Sequence, residues 1–480
     1  MKPYPAPNES CSLCRRDFLR TVGVVAGSLA FGCTADYSAR KIKGPAIPAK
    51  EKAMVHGAFF YPPSDNLREP GVWWSWPGKD FDAEGRQKQY MNELGEIERD
   101  IGMQITMQQK PIDSGDDLAR FVQEVNQSKP DGLLLVPFKH SHFDHINRVI
   151  NDTEIPAVVF TCMGVKHGSI KGYQRPGVCM VQTMDNFDAL AYCMRMIHTA
   201  KTMKQSRIIS IAGSGSSEHE VPRIGTKVRV IPMQQFVDEV DRTKITDAVK
   251  DLARSYMKNA KKILEPAEPE IITAAKVHFA LERVIESEKG DAVMVDCLRR
   301  GLYMPCMSFM TLRDIGFAAG CENDLSGTLT LMLTQLLFDR PGFEHNPCFE
   351  TESNHYFASH CTSASKLFGT REPAEPYLLR DYAHTNDPTC VPQVLWRPGR
   401  PVTMAHYEPS ENPSLLLYTG KVVKSHSMPP VGGCRTNVEI TINELEDVRE
   451  VKGHHNVLFY GNFSRKLKQF AQLYDITVEC

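Results

Sequence analysis

Asp131-Gly-Leu-Leu-Leu-Val-Pro137 is a continuous apolar run, and Ile155-Pro-Ala-Val-Val-Phe160 is a second one further along the chain. A helical pattern lies between the two runs. Fully apolar strands that alternate with helices are typical of parallel sheets covered on both faces. Similar runs occupy residues 207–212 and 291–296, and long amphipathic helices are predicted over residues 245–264 and 271–289. This part of the chain therefore predicts open α/β architecture.

The last third of the chain has a different character. Prolines and glycines become frequent after about residue 345, and short strands are predicted at residues 393–396, 402–405, 415–418 and 437–442, before a helix at 464–474 and a last strand at 476–478. Short strands between turn-forming residues indicate an antiparallel sheet or barrel. The predicted fold class is α/β: two open α/β (flavodoxin- or Rossmann-like) domains, residues 46–205 and 206–345, followed by a mainly antiparallel, barrel-like β domain, residues 346–480.

The N-terminal segment reads as an export signal. Cys14-Arg15-Arg16-Asp-Phe18-Leu19-Arg20 precedes a weakly apolar stretch at residues 21–32, a pattern that resembles a twin-arginine signal peptide. This stretch is too short to span a bilayer, which takes about 20 apolar residues. Residues 1–45 are assigned to the signal and linker, and a periplasmic location is expected. Leu29-Ala-Phe-Gly32-Cys33 is a loose lipobox, so a membrane tether is expected only if Cys33 carries a lipid.

Charge and cysteine usage narrow the choice of partners. The formal net charge is −2, which provides no basic field for nucleic acid or anionic membranes. The 14 cysteines are scattered without paired CxxC motifs. Some of them could pair in an exported protein, although a protein that folds before export would keep most as small buried hydrophobic residues.

Three segments supply candidate metal ligands. Glu322-Asn-Asp-Leu-Ser-Gly-Thr-Leu-Thr-Leu places a carboxylate at the opening of a helix, Ser359-His360-Cys361 places a histidine after a short strand, and Gly453-His454-His455-Asn carries a histidine pair. Acid oxygens and imidazoles from three distant places suit a divalent metal such as Mn²⁺ in an open site.

The order and wording of these segments resemble the L-fucose isomerase and L-arabinose isomerase superfamily over roughly residues 125–480. The most specific parts are Cys321-Glu322-Asn-Asp324, Ala358-Ser-His360-Cys361 and His454-His455 with Tyr460-Gly461. The resemblance implies a homo-oligomer that interconverts aldoses and ketoses. A divalent metal, most consistent with Mn²⁺, would chelate both sugar oxygens and stabilise an enediolate.

The resemblance also implies roles for individual residues. Glu322 takes the position of a metal ligand and acid/base group, and His360 that of a metal ligand. One of His454 and His455 would be the C-terminal ligand, with His455 preferred.

The second carboxylate of the family has two candidate positions. Counting back from His360 gives Glu344, as metal ligand and catalytic group, whereas counting forward from Glu322 gives Asn346. If Asn346 is the equivalent, one proton-transfer group is missing, and His345 could substitute as a ligand.

Four further residues are weaker candidates for contacts with the sugar, and each has a simpler explanation. Asp296 could pair within a loop, His140 could be a solvated loop residue, Trp74 could cap the first domain by packing, and His454 could lie in a surface turn. Burial among apolar neighbours could similarly explain His360, and helix capping could explain Glu322.

Two other functions remain open at this stage. His140-Ser-His142-Phe-Asp144-His145 follows an apolar strand and fits the HxHxDH motif of metallo-β-lactamase-type hydrolases. The motif stands inside what reads as one βαβ unit, which is the wrong context for that fold. A non-catalytic carbohydrate-binding protein on the isomerase scaffold is the other alternative, since a fold alone does not determine function.

Overall fold

The computed structural model describes residues 44–46, 49–62, 81–166, 170–298, 303–427 and 434–480. They belong to one compact unit, Lys43–Cys480. The predicted signal peptide, the lipidation site Cys33 and the sugar-contact candidate Trp74 lie outside the described residues. None of the described helices is long and apolar enough to cross a bilayer.

The first sheet has five parallel strands in the order β2-β1-β3-β4-β5. Strands β3 and β4 coincide with the two apolar runs, and every residue of β3 is buried, as expected for a sheet covered on both faces. The elements are β1 (Met54–Phe60), α1 (Ala83–Ile101), β2 (Gln104–Met107), α2 (Gly115–Ser128), β3 (Gly132–Pro137), α3 (Phe143–Thr153), β4 (Ala157–Cys162), β5 (Val178–Thr183) and α4 (Phe187–Lys204).

The second sheet has the order β11-β10-β6-β8-β7, with all strands parallel except the edge strand β7. The elements are β6 (Arg207–Ile211), β7 (Ser217–Glu220), β8 (Lys227–Ile231), α5 (Met233–Arg242), α6 (Asp247–Asn259), β9 (Lys262–Ile263), α7 (Glu268–Ser287), β10 (Ala292–Val295), α8 (Cys306–Asp314), β11 (Ala318–Gly320) and α9 (Leu325–Phe338).

The helix predicted over residues 245–264 is shorter than expected. It ends at Asn259, and β9 follows it. The Lys261 amide donates to the Tyr377 carbonyl at 2.8 Å and the Leu264 amide donates to the Leu379 carbonyl at 3.0 Å. Pairing with a distant strand thus replaces the last helical turns, which a local pattern cannot reveal.

The C-terminal part forms a closed antiparallel barrel, as the sequence predicted. Its ring is β16-β19-β12-β13-β18-β17, closed by the pairing of β16 with β17, and β20 adds in parallel to β17. The elements are β12 (Phe343–Glu350), β13 (His355–His360), β14 (Tyr377–Arg380), β15 (Val391–Val394), β16 (Pro401–Glu408), β17 (Ser414–His426), β18 (Thr436–Ile440), β19 (Asn456–Tyr460), α10 (Ser464–Leu473) and β20 (Thr477–Glu479).

Helix α9 connects the second sheet to the barrel. Most of its side chains are buried, and Thr330 Oγ1 accepts a hydrogen bond from the Tyr407 amide of β16 at 2.8 Å. A helix that is apolar around its whole circumference must be enclosed. The N-terminus of α9 therefore lies where the carboxyl edge of the second sheet meets the barrel.

Candidate metal centre

Glu322 lies in the tight turn that joins β11 to α9. Glu322 and Asn323 both adopt the left-handed conformation, with φ of 54° and 57°, which non-glycine residues keep only where the surroundings hold them. Asn323 Oδ1 accepts from Ser210 Oγ at 2.7 Å, and the Asn323 amide donates to the Val295 carbonyl at 3.0 Å. The turn is therefore anchored on the second sheet.

The Glu322 carboxylate meets two buried histidines of the barrel. Its Oε1 lies 3.2 Å from His360 Nε2, and its Oε2 lies 3.2 Å from His455 Nε2. His360 ends β13, and His455 precedes β19 with φ of 56°. The two imidazoles are only 2% and 3% exposed. Three segments that are far apart in the chain thus bring one carboxylate and two imidazoles together.

The spacing of these atoms fits one bound ion. Two donors that are each about 2.1 Å from the same ion stand about 3.0–3.4 Å apart in octahedral or tetrahedral geometry. His360 Nε2 and His455 Nε2 are buried without hydrogen-bond partners among the described residues. Buried polar atoms without partners are costly, and a divalent cation would satisfy both.

Asp324 orients His455 through the ring nitrogen that does not face Glu322. Its side chain caps α9 by accepting from the Gly327 amide at 2.7 Å, and its Oδ2 lies 2.8 Å from His455 Nδ1. A carboxylate on one ring nitrogen fixes the tautomer and presents the other nitrogen to a metal. Asp324 belongs to the segment Cys321-Glu322-Asn-Asp324, but its contact with His455 was not predicted from the sequence.

Charge complementarity within the centre shifts two pKa values in opposite directions. The neighbouring imidazoles of His360 and His455 hold the pKa of Glu322 well below its usual range. Burial lowers the pKa of His455, but the neighbouring carboxylates of Asp324 and Glu322 outweigh it and raise the pKa to about 10. Without a metal, a proton on His455 therefore supplies the positive charge that the carboxylates require.

Glu344 is the second carboxylate at the centre. It is fully buried on β12, and Asp324, Glu344 and His455 each offer a ligand atom within 4.8 Å of the others. Glu344 Oε1 has no hydrogen-bond partner among the described residues. A Cβ on Gly327 would lie 2.5 Å from this oxygen, so a glycine is required for the approach.

The other oxygen of Glu344 is already occupied. Oε2 accepts from Arg313 Nη2 at 2.7 Å and from the Cys321 amide at 2.8 Å. Burial raises the pKa of Glu344, and the guanidinium of Arg313 opposes that shift. Nothing in the sequence predicted Arg313, because its partner lies on a strand that only the folded barrel brings to it.

The alternative positions for the second carboxylate differ in their contacts. Asn346 lies two residues after Glu344 on β12, and its Oδ1 is buried without a hydrogen-bond partner among the described residues. His345 has both ring nitrogens engaged, with Nδ1 2.9 Å from the Phe343 carbonyl and Nε2 3.0 Å from Tyr356 Oη. Glu344 shares a possible ligand group with Asp324 and His455, whereas His345 belongs to no such group in the described residues.

A cleft of about 400 Å³ opens beside the centre and is lined in part by Asp324, His406, Glu408, Lys452, His454 and Glu479. His454 is exposed, and its ring stacks on that of His455 with 4.3 Å between the ring centroids. Of the histidine pair, His455 therefore points inward to the centre and His454 faces the cleft. The volume lies within the range of small-molecule sites, about 300–1,000 Å³.

Two of the weaker candidates lie elsewhere. Asp296 is half-buried after β10, where its amide donates to the Ile211 carbonyl at 3.0 Å. His140 is exposed in a 3₁₀ turn at the edge of the first sheet, with Nδ1 3.2 Å from the Val165 carbonyl. Neither residue belongs to the two ligand groups found among the described residues.

The HxHxDH segment does not form a metal site. His142 Nε2 bonds to Asp113 Oδ1 at 3.0 Å, and Asp144 is exposed on α3. No possible ligand group in the described part of the chain contains His140, His142, Asp144 or His145. The rings of His142 and His145 lie 5.3 Å apart, but the hydrolase alternative fails because His142 is paired with Asp113 and these residues form no possible ligand group among the residues that the structure describes.

Comparison with known proteins gives matches among solved structures. No protein-family model and no curated protein matches the chain. Solved structures that match include a solute-binding protein of an ABC transporter from Burkholderia multivorans, whose unidentified ligand is described as alpha-D-erythrofuranose, at 12% identity over 61% of this chain and 95% of that chain, with a TM-score of 0.18. Another is the 5-methylthioribose transporter solute-binding protein from Thermotoga lettingae in complex with 5-methylthioribose, at 10% identity over 59% and 80% of the two chains, with a TM-score of 0.16.

These matches do not support the function expected from the sequence. Aldose–ketose isomerisation with manganese was predicted, whereas both of these solved structures are solute-binding proteins and not isomerases. No comparison therefore supports the isomerase prediction. At such low identities and TM-scores, the two structures carry no information on the ligand of this chain.

Proposed function

We propose that the chain is an exported, non-catalytic carbohydrate-binding protein that holds its ligand through a divalent metal ion. Glu322, His360 and His455 would bind the ion. The observation that carries this proposal is the convergence of one carboxylate and two buried imidazoles at 3.2 Å, where the Nε2 atom of each imidazole has no hydrogen-bond partner among the described residues. Two imidazoles and one carboxylate suit a first-row divalent ion.

We infer binding without catalysis in part from the anchoring of Glu344. A group that moves protons must be able to approach a ligand and change its protonation state. The hydrogen bonds from Arg313 and from the Cys321 amide hold Glu344 Oε2 in place, which restricts the movement of the carboxylate. The ion would supply Lewis acidity, which attracts vicinal hydroxyl groups and orients them.

The cleft beside the centre suits a neutral ligand with several hydroxyl groups. Asp324, Glu408 and Glu479 contribute three carboxylates to its lining, and the only lysine among its lining residues, Lys452, is paired with Glu479 at 3.2 Å. Such a surface repels sugar acids and sugar phosphates. His454, His406 and the carboxylates offer donors and acceptors for hydroxyl groups.

The wider setting of the site is also a proposal. We infer that residues 46–205 and 206–345 are separate α/β domains and that residues 346–480 form the β domain of a homo-oligomer with a scaffold resembling the sugar isomerases. Export by the twin-arginine route to the periplasm rests on Arg15 and Arg16, and a tether rests on lipidation of Cys33.

Elemental analysis of the purified protein tests the metal centre. We expect about one divalent ion per chain in wild type and in His142→Ala, and none in Glu322→Gln. The His142→Ala variant is the matched control because it removes a buried histidine that also bonds to a carboxylate. Ion content that survives Glu322→Gln, or that is lost in His142→Ala, would contradict the proposed ligands.

Calorimetry then tests the ligand. Neutral pentoses and hexoses are titrated into metal-loaded protein, chelator-treated protein and the Glu322→Gln variant. We expect heat of binding from the loaded wild type alone and no turnover of the bound sugar by chromatography. Equal binding after chelation would remove the ion from the recognition mechanism, and preferential binding of sugar phosphates would contradict the assignment of the cleft.

A further inference from the structure

Three thiols form a row beside the metal centre, and we call Cys306, Cys361 and Cys434 the cysteine row. Cys361 follows His360 directly, and its side chain belongs to the same buried cluster as those of Cys306 and Cys434. The three side chains pack together and are 4%, 5% and 8% exposed. They do not form a group with metal-ligand spacing in the part of the chain that the structure describes. Neighbouring thiols without metal-ligand spacing favour thiol chemistry over metal binding.

We propose that Cys361 and Cys434 form a reversible disulfide bond that ties β13 to β18 beside the metal centre. These strands pair in antiparallel register, with His360 opposite Thr436. Cys361 follows that last ladder pair on one strand, and Cys434 precedes it on the other. The two cysteines therefore flank the same end of one ladder, where neighbouring chains are close enough for a disulfide.

Hydrogen bonds hold the Cys434 backbone against β13. Its amide donates to Ser359 Oγ at 3.2 Å, and its carbonyl accepts from Asn437 Nδ2 at 2.5 Å. Ser359 Oγ in turn donates to Asn437 Oδ1 at 2.6 Å. With the backbone fixed in this way, side-chain rotation has to bring the two sulfur atoms to about 2.05 Å.

The chemistry requires an oxidant, and a disulfide compound R–S–S–R supplies it. Cys434 gives its proton to His384, whose Nε2 lies 3.4 Å from Sγ, and the sulfur attacks the oxidant and releases R–S⁻. Cys361 then loses its proton to solvent, attacks Cys434 Sγ and releases the second R–S⁻. Two thiols become one disulfide, two electrons pass to the oxidant, and the two protons convert the released thiolates to R–SH.

Cys434 is a better partner for Cys361 than Cys306 is. Of the row, Cys434 is the most exposed and has an imidazole beside its sulfur. Cys306 opens α8, is less exposed, and its carbonyl accepts from Thr362 Oγ1 at 3.4 Å. An oxidant from solvent reaches Cys434 first, so the mixed disulfide forms there and Cys361 resolves it.

Peptide mapping of the oxidised full chain tests this assignment. The exposed thiols Cys348 and Cys480 are first replaced by serine to prevent adducts and links between molecules. This parent protein is incubated with oxidised glutathione, alkylated, unfolded and digested for mass spectrometry. We expect the loss of two alkylatable thiols and a linked peptide pair that contains Cys361 and Cys434, both restored by dithiothreitol.

Two further variants separate the possible pairs. Cys434→Ser should keep the thiols of Cys306 and Cys361 alkylatable after oxidation, whereas Cys306→Ser should lose two thiols like the parent. A link between Cys306 and Cys361, stable glutathione adducts alone, or an unchanged thiol count in the parent would overturn the proposal. The mapping of the parent decides the matter even if a serine variant fails to fold.

Discussion

Two regions of the molecule carry histidines directly after strands or at strand ends, and only one of them becomes a candidate metal centre. The turn after β3 places three histidines and one aspartate within six residues, yet these side chains do not converge. The centre at α9 draws Glu322, His360 and His455 from three distant segments and holds them at 3.2 Å. Proximity in sequence is therefore weaker evidence for a site than a fold that closes distant segments onto each other.

Both regions contain a histidine paired with an aspartate. His142 Nε2 lies 3.0 Å from Asp113 Oδ1, and His455 Nδ1 lies 2.8 Å from Asp324 Oδ2. At the turn the other ring nitrogen of His142 lies 3.3 Å from Ser141 Oγ, whereas at the centre the second nitrogen of His455 faces Glu322. A histidine–aspartate pair thus becomes part of a metal site only when another ligand meets the free nitrogen.

The largest expected effect is a loss of stability when the buried ion pair beside the centre is broken. Arg313 and Glu344 form a buried ion pair at 2.7 Å, with both side chains almost wholly inaccessible. Arg313→Met leaves Glu344 as an uncompensated buried charge, so we expect a loss of about 3–5 kcal/mol in the free energy of unfolding. Denaturant unfolding measures it.

Asp113→Asn is the matched change at the turn, where the aspartate is 36% exposed. We expect a cost of about 0–1 kcal/mol from it. Similar losses of unfolding free energy from Arg313→Met and Asp113→Asn would show that the buried ion pair stabilises the protein no more than the pair at the surface turn does.

The next effect is on metal affinity. His455→Ala removes one of three ligands, and we expect the dissociation constant of the ion to rise more than about 100-fold, because the loss of an outer partner alone costs about 10–100-fold. Competition with a chromophoric chelator measures this constant. His142→Ala should leave it unchanged, and an equal effect from the two variants would remove the distinction between the regions.

The sequence was sufficient for those parts of the fold that depend on local pattern. The apolar runs at residues 131–137 and 155–160 became β3 and β4, because a strand buried on both faces needs apolar side chains at every position. The barrel strands followed from the turn-rich composition after residue 345. Helix α6 was predicted too long because β14, more than 100 residues away, pairs with the residues that follow it.

The site was predictable only where a residue's role is local or part of a motif. The resemblance selected Glu322, Glu344, His360 and His455, which belong to two possible ligand groups that share His455, but it also gave a function that no comparison supports. The roles of Arg313 and Asp324 could not be predicted, since each depends on a contact across the interface between the second sheet and the barrel.

A smaller effect separates the two aspartates. Asp324→Asn preserves the cap of α9, because asparagine caps helices about as well as aspartate, but it weakens the orientation of His455. We expect metal affinity to fall about 10–100-fold with little change in stability. Asp113→Asn should not change the metal affinity, and the same chelator competition compares the two variants.

The smallest effect is a difference in pH dependence between the two histidines. In metal-free protein the pKa of His455 is raised to about 10, so the stability it contributes is complete below its unfolded value of about 6.5 and is lost as the pH rises towards 10. Burial lowers the pKa of His142, despite the hydrogen bond to Asp113. The stability that His142 contributes is therefore complete above pH 6.5 and is lost as the pH falls below that value.

Unfolding free energies measured from pH 5 to 10 on chelator-treated protein test both signs. His142→Ala should flatten the acidic side of the profile, and His455→Ala should flatten the alkaline side. A difference in unfolding free energy that is the same at every pH would reflect only the lost packing. A change in the slope of unfolding free energy against pH would show that the histidine binds a different number of protons in the folded and unfolded states. If both variants flatten the same side, His455 is neutral at pH 7, and the centre does not hold a proton in place of the metal.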